Sequence, residues 1–298
     1  MTPLRVRAKA CAKVNWVLEA LQRRPDGYHE VRTVIQTIDL CDTLELQPTG
    51  ELCLEAEAEG LPPPEGNLVM KAAHLLRERA DGLPGARMRL SKAIPVAAGL
   101  GGGSSDAAAA LRGLNELWGL GLPREALVDM AARLGSDVPF FIHGGAALAK
   151  GRGERITPLP DAPRQEFVVV LPPLTLADKT RRMYSLLTPA DYTDGSSAGR
   201  LADAIRQGKP LGDDHLFNVF DGSAFRTFPE LERLRRVMLE AGARSVHLAG
   251  SGPAVFALAD DATKRERLTR AAAEAGARAF VVASVPAAEA VALEMATG

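Results

Sequence analysis

The stretch PVAAGLGGGSSDAAAAL, residues Pro95–Leu111, sets four glycines and two serines directly before a run of alanines. Glycine is the poorest ordinary helix former and alanine the best, so the chain changes character within a few residues. Glycines let the backbone take positive φ and turn N–H groups outward against a ligand. A helix starting near Ser104–Asp106 adds unpaired N–H donors and the positive end of its dipole. Ser104 and Ser105 offer hydroxyls to a phosphate oxygen or a magnesium ion. The competing explanation is a flexible loop with an ordinary serine cap. Two familiar phosphate loops fit poorly. No lysine stands at the helix mouth, as a Walker loop requires, and position 104 is serine where a dinucleotide fingerprint needs its third glycine.

On the N-terminal side of this loop, RVRAKACA alternates. Val6, Ala8 and Ala10 fall on one face and Arg5, Arg7 and Lys9 on the other, which is a half-buried strand running on into KVNWVLEAL. TLELQPTGELCLEAEA reads as a hairpin, with Leu44 and Leu46, then Leu52, Leu54 and Ala56, around a Pro-Thr-Gly turn. GNLVMKAAHLLRERA is a helix with Asn67 as its cap and Leu68, Ala72, Leu75 and Leu76 as its stripe. ARMRLSKAIP is a strand ending at Pro95.

Beyond the loop, Ala107, Leu111, Leu114 and Trp118 recur at helical spacing. PREALVDMAARLG is a second helix between Pro123 and Gly135. SDVPFFIHGGAALAKGRGERI reads as an irregular segment and a strand. The prolines of TPLPDAPRQ mark a boundary, giving domains 1–158 and 159–298. In the second half, EFVVVLPPL is a buried strand, and Leu231, Leu234, Met238 and Ala241 share a helix face. SVHLAGSGPAVFALA is two strands around a Gly-Ser-Gly turn, followed by a helix and the strand AFVVASV. Strands and helices cluster instead of alternating, so the fold class is α+β.

Composition sets bounds on function. The chain has 298 residues, 46% hydrophobic and 24% charged, with a net charge of −1. That balance argues for a globular protein and against nucleic acid as the main partner, although Arg23, Arg24, Arg152 and Arg155 lie near the segments of interest. The three cysteines, Cys11, Cys41 and Cys53, lack metal-ligand spacing and argue for a reducing compartment without disulfides. No apolar stretch approaches the ~20 residues of a membrane span, and the start lacks a signal-peptide pattern, so the expected location is the cytoplasm with no membrane partner.

PVAAGLGGGSSDAA resembles the central motif of the GHMP kinases, a family named for galactokinase and the homoserine, mevalonate and phosphomevalonate kinases. AKVNWVLEALQRRPDGYHEV, LGSDVPFFIHGGAALAKGRGE and AGSGPAVFAL are similar to one branch of that family. Its acceptor is a cytidine-diphosphate-linked methylerythritol of the non-mevalonate isoprenoid pathway. The resemblance spans roughly Ala8 to Val285 and implies an N-terminal ATP-binding domain and a C-terminal ferredoxin-like domain. It departs from the pattern at Trp16, usually a smaller aliphatic, at Ala97 and Ala98, often glycines, and at Ala249, often serine.

What the resemblance implies about residues is specific. Pro95, Val96, Ala97, Ala98, Gly99, Leu100, Gly101, Gly102, Gly103, Ser104 and Ser105 wrap the ATP phosphates, with Mg2+ as cofactor. Lys13 and Asp137 match the catalytic pair, Asp137 as general base and Lys13 as its counter-charge. On the residues alone, a structural Lys–Asp ion pair is the stronger explanation. Asn15 is expected to bind the erythritol hydroxyls, or to be a polar strand residue facing water. Tyr28 is expected to stack on the cytosine, His29 to bond its edge and Tyr184 to close its other face. For Tyr184 the alternative is a core aromatic of an amphipathic helix. The Gly-Ser-Gly segment is either a simple tight turn or a loop near the transferred phosphate. The implied activity is phosphorylation of the acceptor's 2-hydroxyl by ATP. Its rivals are another GHMP kinase with a smaller alcohol and a non-catalytic nucleotide sensor.

Overall fold

The structure, a computed structural model, describes residues 4–79, 82–174, 176 and 178–297. It opens with two long antiparallel strands, β1 (Leu4–Arg23) and β2 (His29–Thr49), joined by the turn that carries Tyr28. Val6, Ala8 and Ala10 are buried while Arg5, Arg7 and Lys9 are exposed, as their alternation requires. Register shifts at Cys11/Lys13, Asn15/Val17 and Ala20/Gln22 bend the pair and re-aim the side chains between them.

There follow β3 (Cys53–Ala56), α1 (Leu68–Arg77), β4 (Gly85–Ser91), α2 (Gly102–Leu117), α3 (Arg124–Leu134), α4 (Val138–His143), β5 (Ala146–Gly151) and β6 (Arg155–Pro158). Asn67 caps α1 by accepting the Val69 N–H at 2.9 Å. The glycine-loop helix α2 is buried along its whole middle, from Ser105 to Leu114, because alanines let it lie close against β1 and α1.

The second half holds β7 (Glu166–Leu171), α5 (Lys179–Ser185), α6 (Ser196–Arg206), β8 (Phe217–Asn218), α7 (Asp221–Thr227) and α8 (Pro229–Glu240). It continues with β9 (His247–Leu248), β10 (Val255–Leu258), α9 (Ala262–Glu274), β11 (Arg278–Ala283), α10 (Ala287–Ala290) and β12 (Leu293–Thr297). Among the described residues there are two sheets. An eight-stranded one runs β12-β1-β2-β4-β3, with β5 also on β2, β6 on β5 and β8 on β1. A four-stranded antiparallel one runs β11-β7-β10-β9. This is an α+β architecture, as the clustering of strands and helices along the chain requires. Trp16, fully buried, packs its ring 6.3 Å from that of Phe167 and joins the cores of the two halves.

Three expectations need correcting. The segment around Pro48–Gly50 does not close a hairpin: β4 lies between β2 and β3, antiparallel to the first and parallel to the second. β4 carries the buried Ala86, Met88 and Leu90, whereas β3 is only half-buried, so β4 takes the inner position. Cys11 and Cys41, expected to be free, form a disulfide; they are exact partners in the β1–β2 register, with Cα atoms 3.9 Å apart. Spacing along the chain cannot reveal that pairing. VPFFIH, expected to be irregular, forms the short helix α4, with five buried residues in six positions.

Candidate active site

Two glycine loops, one from each half, meet backbone to backbone. The first runs from Pro95 to Gly101 and delivers the chain into α2; the second is the Gly250-Ser251-Gly252 turn between β9 and β10. The Ala254 N–H donates to the Ala98 carbonyl at 3.0 Å, and the Lys13 N–H of β1 donates to the Leu100 carbonyl at 2.9 Å. Gly99 has φ +94°, and a methyl group there would strike the carbonyl oxygens of Ala249 and Gly252. No side chain fits between the loops. Ala97, without that freedom, still takes φ 57°. Buried Asn218 pins the second loop, its amide donating to the carbonyls of Leu248 (2.9 Å) and Gly250 (2.8 Å).

Residues Pro95 through Ser104 line one cavity of about 1540 Å³ together with Lys13, Asn15, Asp137, Tyr28, His29 and Tyr184. Ser105 does not line it. Its hydroxyl is buried and donates to the Cys11 carbonyl at 2.7 Å, tying α2 to β1. Beneath the loop, Lys92 bridges two buried carboxylates, bonding Asp106 at 2.7 Å and also Asp42. Asp42 in turn accepts the N–H groups of Ala93 (2.6 Å) and Ile94 (2.8 Å), which fixes the approach to the loop. Burial, and then the charge of Asp42 against the pull of Lys92, raises the Asp106 carboxyl to about 8.

Lys13 and Asn15 emerge side by side from β1, and the Lys13 ammonium donates to Asn15 Oδ1 at 2.7 Å. The Asn15 amide donates to Thr33 Oγ1 at 2.8 Å, and that hydroxyl donates to the Val17 carbonyl at 2.6 Å. Asn15 is buried and does not face bulk water. Burial lowers the pKa of Lys13, and Asp137 opposes that shift. Asp137 sits just before α4, its carboxylate 4.0 Å from Lys13 Nζ and 43% exposed into the cavity. A carboxylate half-open to a cavity, with a buried ammonium at the limit of ion-pair distance, can accept a proton from a bound hydroxyl. Gly250 leaves room for this lysine: a Cβ there would stand 2.9 Å from Lys13 Nζ.

The far end of the cavity is aromatic. Tyr28 projects from the β1–β2 turn, 55% exposed, with the Arg152 guanidinium 4.9 Å from its ring centroid. Glu30 braces this corner, bonding Arg24 at 2.6 Å and Arg155 at 2.9 Å and accepting the Gly151 N–H at 3.2 Å. His29 stacks on Tyr184 at 4.7 Å and shares a 3.3 Å hydrogen bond with the Tyr192 hydroxyl. Burial, then the charge of Arg23, lowers the His29 pKa. Tyr184 also meets Phe220 edge-on at 4.9 Å, and burial pushes its phenol pKa up. Arg152, Tyr192 and Lys179 were not foreseen from sequence. Only Arg152 left a signal, through its place in GRGE.

Residues 67–145 match the family described as GHMP kinases N terminal domain, and residues 196–278 match GHMP kinases C terminal. The chain is 43% identical over 277 residues to a 4-diphosphocytidyl-2-C-methyl-D-erythritol kinase of Dehalococcoides mccartyi, covering 93% of this chain and 97% of that one. It is 44% identical over 259 residues to a protein of the same name from Pelotomaculum thermopropionicum, covering 86% and 90%. A crystal structure of 4-(cytidine 5'-diphospho)-2C-methyl-D-erythritol kinase superposes with a TM-score of 0.79 at 36% identity, covering 93% of this chain and 98% of that one. Homoserine kinase from Cytophaga hutchinsonii shares the fold, with a TM-score of 0.74 at 17% identity over 99% and 98%. Among the described residues no helix is long and apolar enough to cross a membrane. The chain therefore belongs to the GHMP kinases, and within them to the group of 4-diphosphocytidyl-2-C-methyl-D-erythritol kinases.

Proposed function

We propose that the chain transfers the γ-phosphoryl group of ATP to the 2-hydroxyl of 4-diphosphocytidyl-2-C-methyl-D-erythritol. The observation that carries this reading is one continuous cavity with a glycine loop at one end, an aromatic cluster at the other and the Lys13–Asp137 pair between them. Identity of 43% across 93% of the chain supports the same acceptor. We assign residues 1–158 to the nucleotide-binding domain and 159–298 to the second domain, with β12 returning to the first sheet beside β1.

In this mechanism the loop N–H groups and the N-terminus of α2 hold the triphosphate. Asn15, positioned by Thr33, orients the erythritol hydroxyls. The 2-hydroxyl oxygen attacks the γ-phosphorus, the bond to the β-phosphate oxygen breaks, and Asp137 takes the hydroxyl proton. Lys13 stands opposite Asp137 and faces the charge of the moving group. Tyr28 and Tyr184 hold the cytosine, with His29 at its edge.

Magnesium suits the hard oxygens present. Among the described residues no three carboxylates or histidines converge on one point, so the ion would be held mainly by the nucleotide's phosphates, with Ser104 at the helix mouth. When bound it neutralises phosphate charge.

The test is an acceptor panel: the cytidyl acceptor, free methylerythritol phosphate, homoserine and mevalonate, each with ATP. Turnover of the cytidyl acceptor alone is expected. Preference for a small alcohol would favour a different GHMP kinase, and no turnover at all would leave a nucleotide sensor.

A further inference from the structure

Lys179 opens α5, in the second half of the chain, yet its ammonium reaches the seam between the two glycine loops. It donates to the Ala97 carbonyl at 2.7 Å and to the Gly252 carbonyl at 2.8 Å. An ammonium has three N–H donors, so one remains. Lys179 lines the same cavity as Lys13 and Asp137. Its neighbour Thr180 places Oγ1 3.1 Å from Ser251 Oγ, so α5 is tied to the second loop at two consecutive residues.

The charges around it do not balance. Lys92, under the same loop, is paired with carboxyl groups, those of Asp42 and Asp106, whereas Lys179 bonds only carbonyls. Among the described residues no carboxylate lies within ion-pairing distance of Lys179. It and Lys13 share one nearby acid, Asp137, which leaves an excess positive charge facing the cavity. A half-buried cation without a counter-ion is costly unless an anion arrives to match it.

We propose that Lys179 is a second cation of phosphoryl transfer, supplied by the C-terminal half, which donates to the phosphate oxygens of ATP bound in the cavity where the two loops meet. The proposal rests on the kinase reading above. Lys179 forms and breaks no covalent bond; it neutralises charge while the γ-phosphoryl group moves, and it ties the two loops together beside that group. Burial, and then the charge of Lys13, lowers its pKa to about 8, against the pull of Asp137. The free protein should therefore lose this charge as pH rises through about 8. The other titratable and charged groups that line the cavity near it are Arg181 and Tyr184 of its own helix, and Lys92 and Asp106 beneath the loop.

The experiment measures kcat/KM for ATP, with the cytidyl acceptor saturating, from pH 6.5 to 9.5 in the wild type, Lys179→Met and Lys179→Arg. The wild-type to Lys179→Met ratio is expected to be roughly 10- to 100-fold near neutrality, the worth of a charged hydrogen bond. It should fall toward one as Lys179 deprotonates, and contributions from groups common to both proteins cancel in this ratio. Lys179→Arg should restore most of the rate and hold it to higher pH. A ratio near one throughout, or a ratio independent of pH, overturns the proposal, because a purely structural clamp predicts a lower melting temperature without this profile. Should Lys179→Met not fold, Lys179→Arg decides alone: loss of rate above pH 8 identical to the wild type overturns the proposal. Absence of wild-type turnover overturns the kinase reading and this inference together, whereas wild-type turnover with a flat ratio overturns this inference alone.

Discussion

The two ends of the cavity are made of different material. At the glycine-loop end the surface is backbone: Gly99 is pressed against the carbonyls of Ala249 and Gly252, and Gly250 leaves the space that the Lys13 ammonium enters. At the aromatic end it is side chain: Tyr28 under Arg152, and His29 stacked on Tyr184, which rests on Phe220. A backbone surface tolerates no added atoms, because nothing in it can rotate away. A side-chain surface tolerates a conservative exchange and fails when a ring is removed. Between them stand Lys13 and Asp137, the pair to which we assign the proton and charge of the reaction.

The most damaging substitution belongs to that middle ground. Asp137→Asn keeps the shape but can neither take a proton nor carry charge. It should lower kcat by about 100- to 10,000-fold while leaving the affinities of both ligands nearly unchanged. Residual activity is expected, since placement by the two ends remains. With the carboxylate 43% exposed and 4.0 Å from Lys13, the melting temperature should move little. Measuring kcat and melting temperature on one sample settles the matter: normal turnover with depressed stability would reduce the pair to a structural ion pair.

Next come two substitutions of matched size that should act on opposite ligands. Gly99→Ala forces a methyl group between the loops at φ +94°. Strain of ~1–3 kcal/mol corresponds to a rise of roughly 5- to 150-fold in the KM for ATP, with the acceptor KM unchanged. Tyr28→Ala removes the ring to which we assign stacking on the cytosine, a contact of ~1–3 kcal/mol, so the acceptor KM should rise by the same factor and that for ATP should not. Tyr28→Phe should cost little. Titrating both ligands into both variants is the check. If each variant weakened both ligands equally, the two ends would be one mechanical unit and not two separate surfaces.

The same contrast explains what could be read from sequence. Gly99 to Ser104 are adjacent in the chain because a backbone surface is a local object, so one stretch of sequence displays it. Lys13 and Asn15 lie two apart on one strand, but their roles, like that of Asp137, were implied by the resemblance and not by spacing. The aromatic end gathers Tyr28 and His29 from one turn, Arg152 from β5–β6 and Tyr184 and Tyr192 from beyond residue 180, and no spacing records that meeting. Resemblance supplied Tyr28, His29 and Tyr184; nothing supplied Lys179, whose partners are carbonyls 82 and 73 residues away. Ser105 shows the limit even for a local motif, since helical phase turned its hydroxyl toward Cys11 and away from the cavity. The Cys11–Cys41 pairing and the insertion of β4 between β2 and β3 depend on strand order, which alternation of apolar residues does not specify.

The smallest expected effect lies below the glycine loop, where the backbone end rests on charge. Asp42, Lys92 and Asp106 bring two carboxylates to one ammonium, and burial, followed by repulsion from Asp42, raises Asp106 to about 8. A carboxyl whose folded pKa exceeds its ordinary value of 3.8 binds a proton in the folded chain that the unfolded chain has already released. Its contribution to stability is therefore complete below pH 4 and is lost progressively until the pH passes about 8. Asp106→Asn mimics the protonated form and removes this dependence. The variant should match the wild type near pH 4 and melt at a higher temperature than it near pH 8.5, by a few steps of the ~2–4 °C that each kcal/mol is worth in a chain of this size. The acceptor KM should not respond, because no part of the aromatic end touches the cluster. Melting curves from pH 4 to 9 provide the test: parallel profiles for the two proteins would show that Asp106 is ionised throughout, with Lys92 serving both carboxylates.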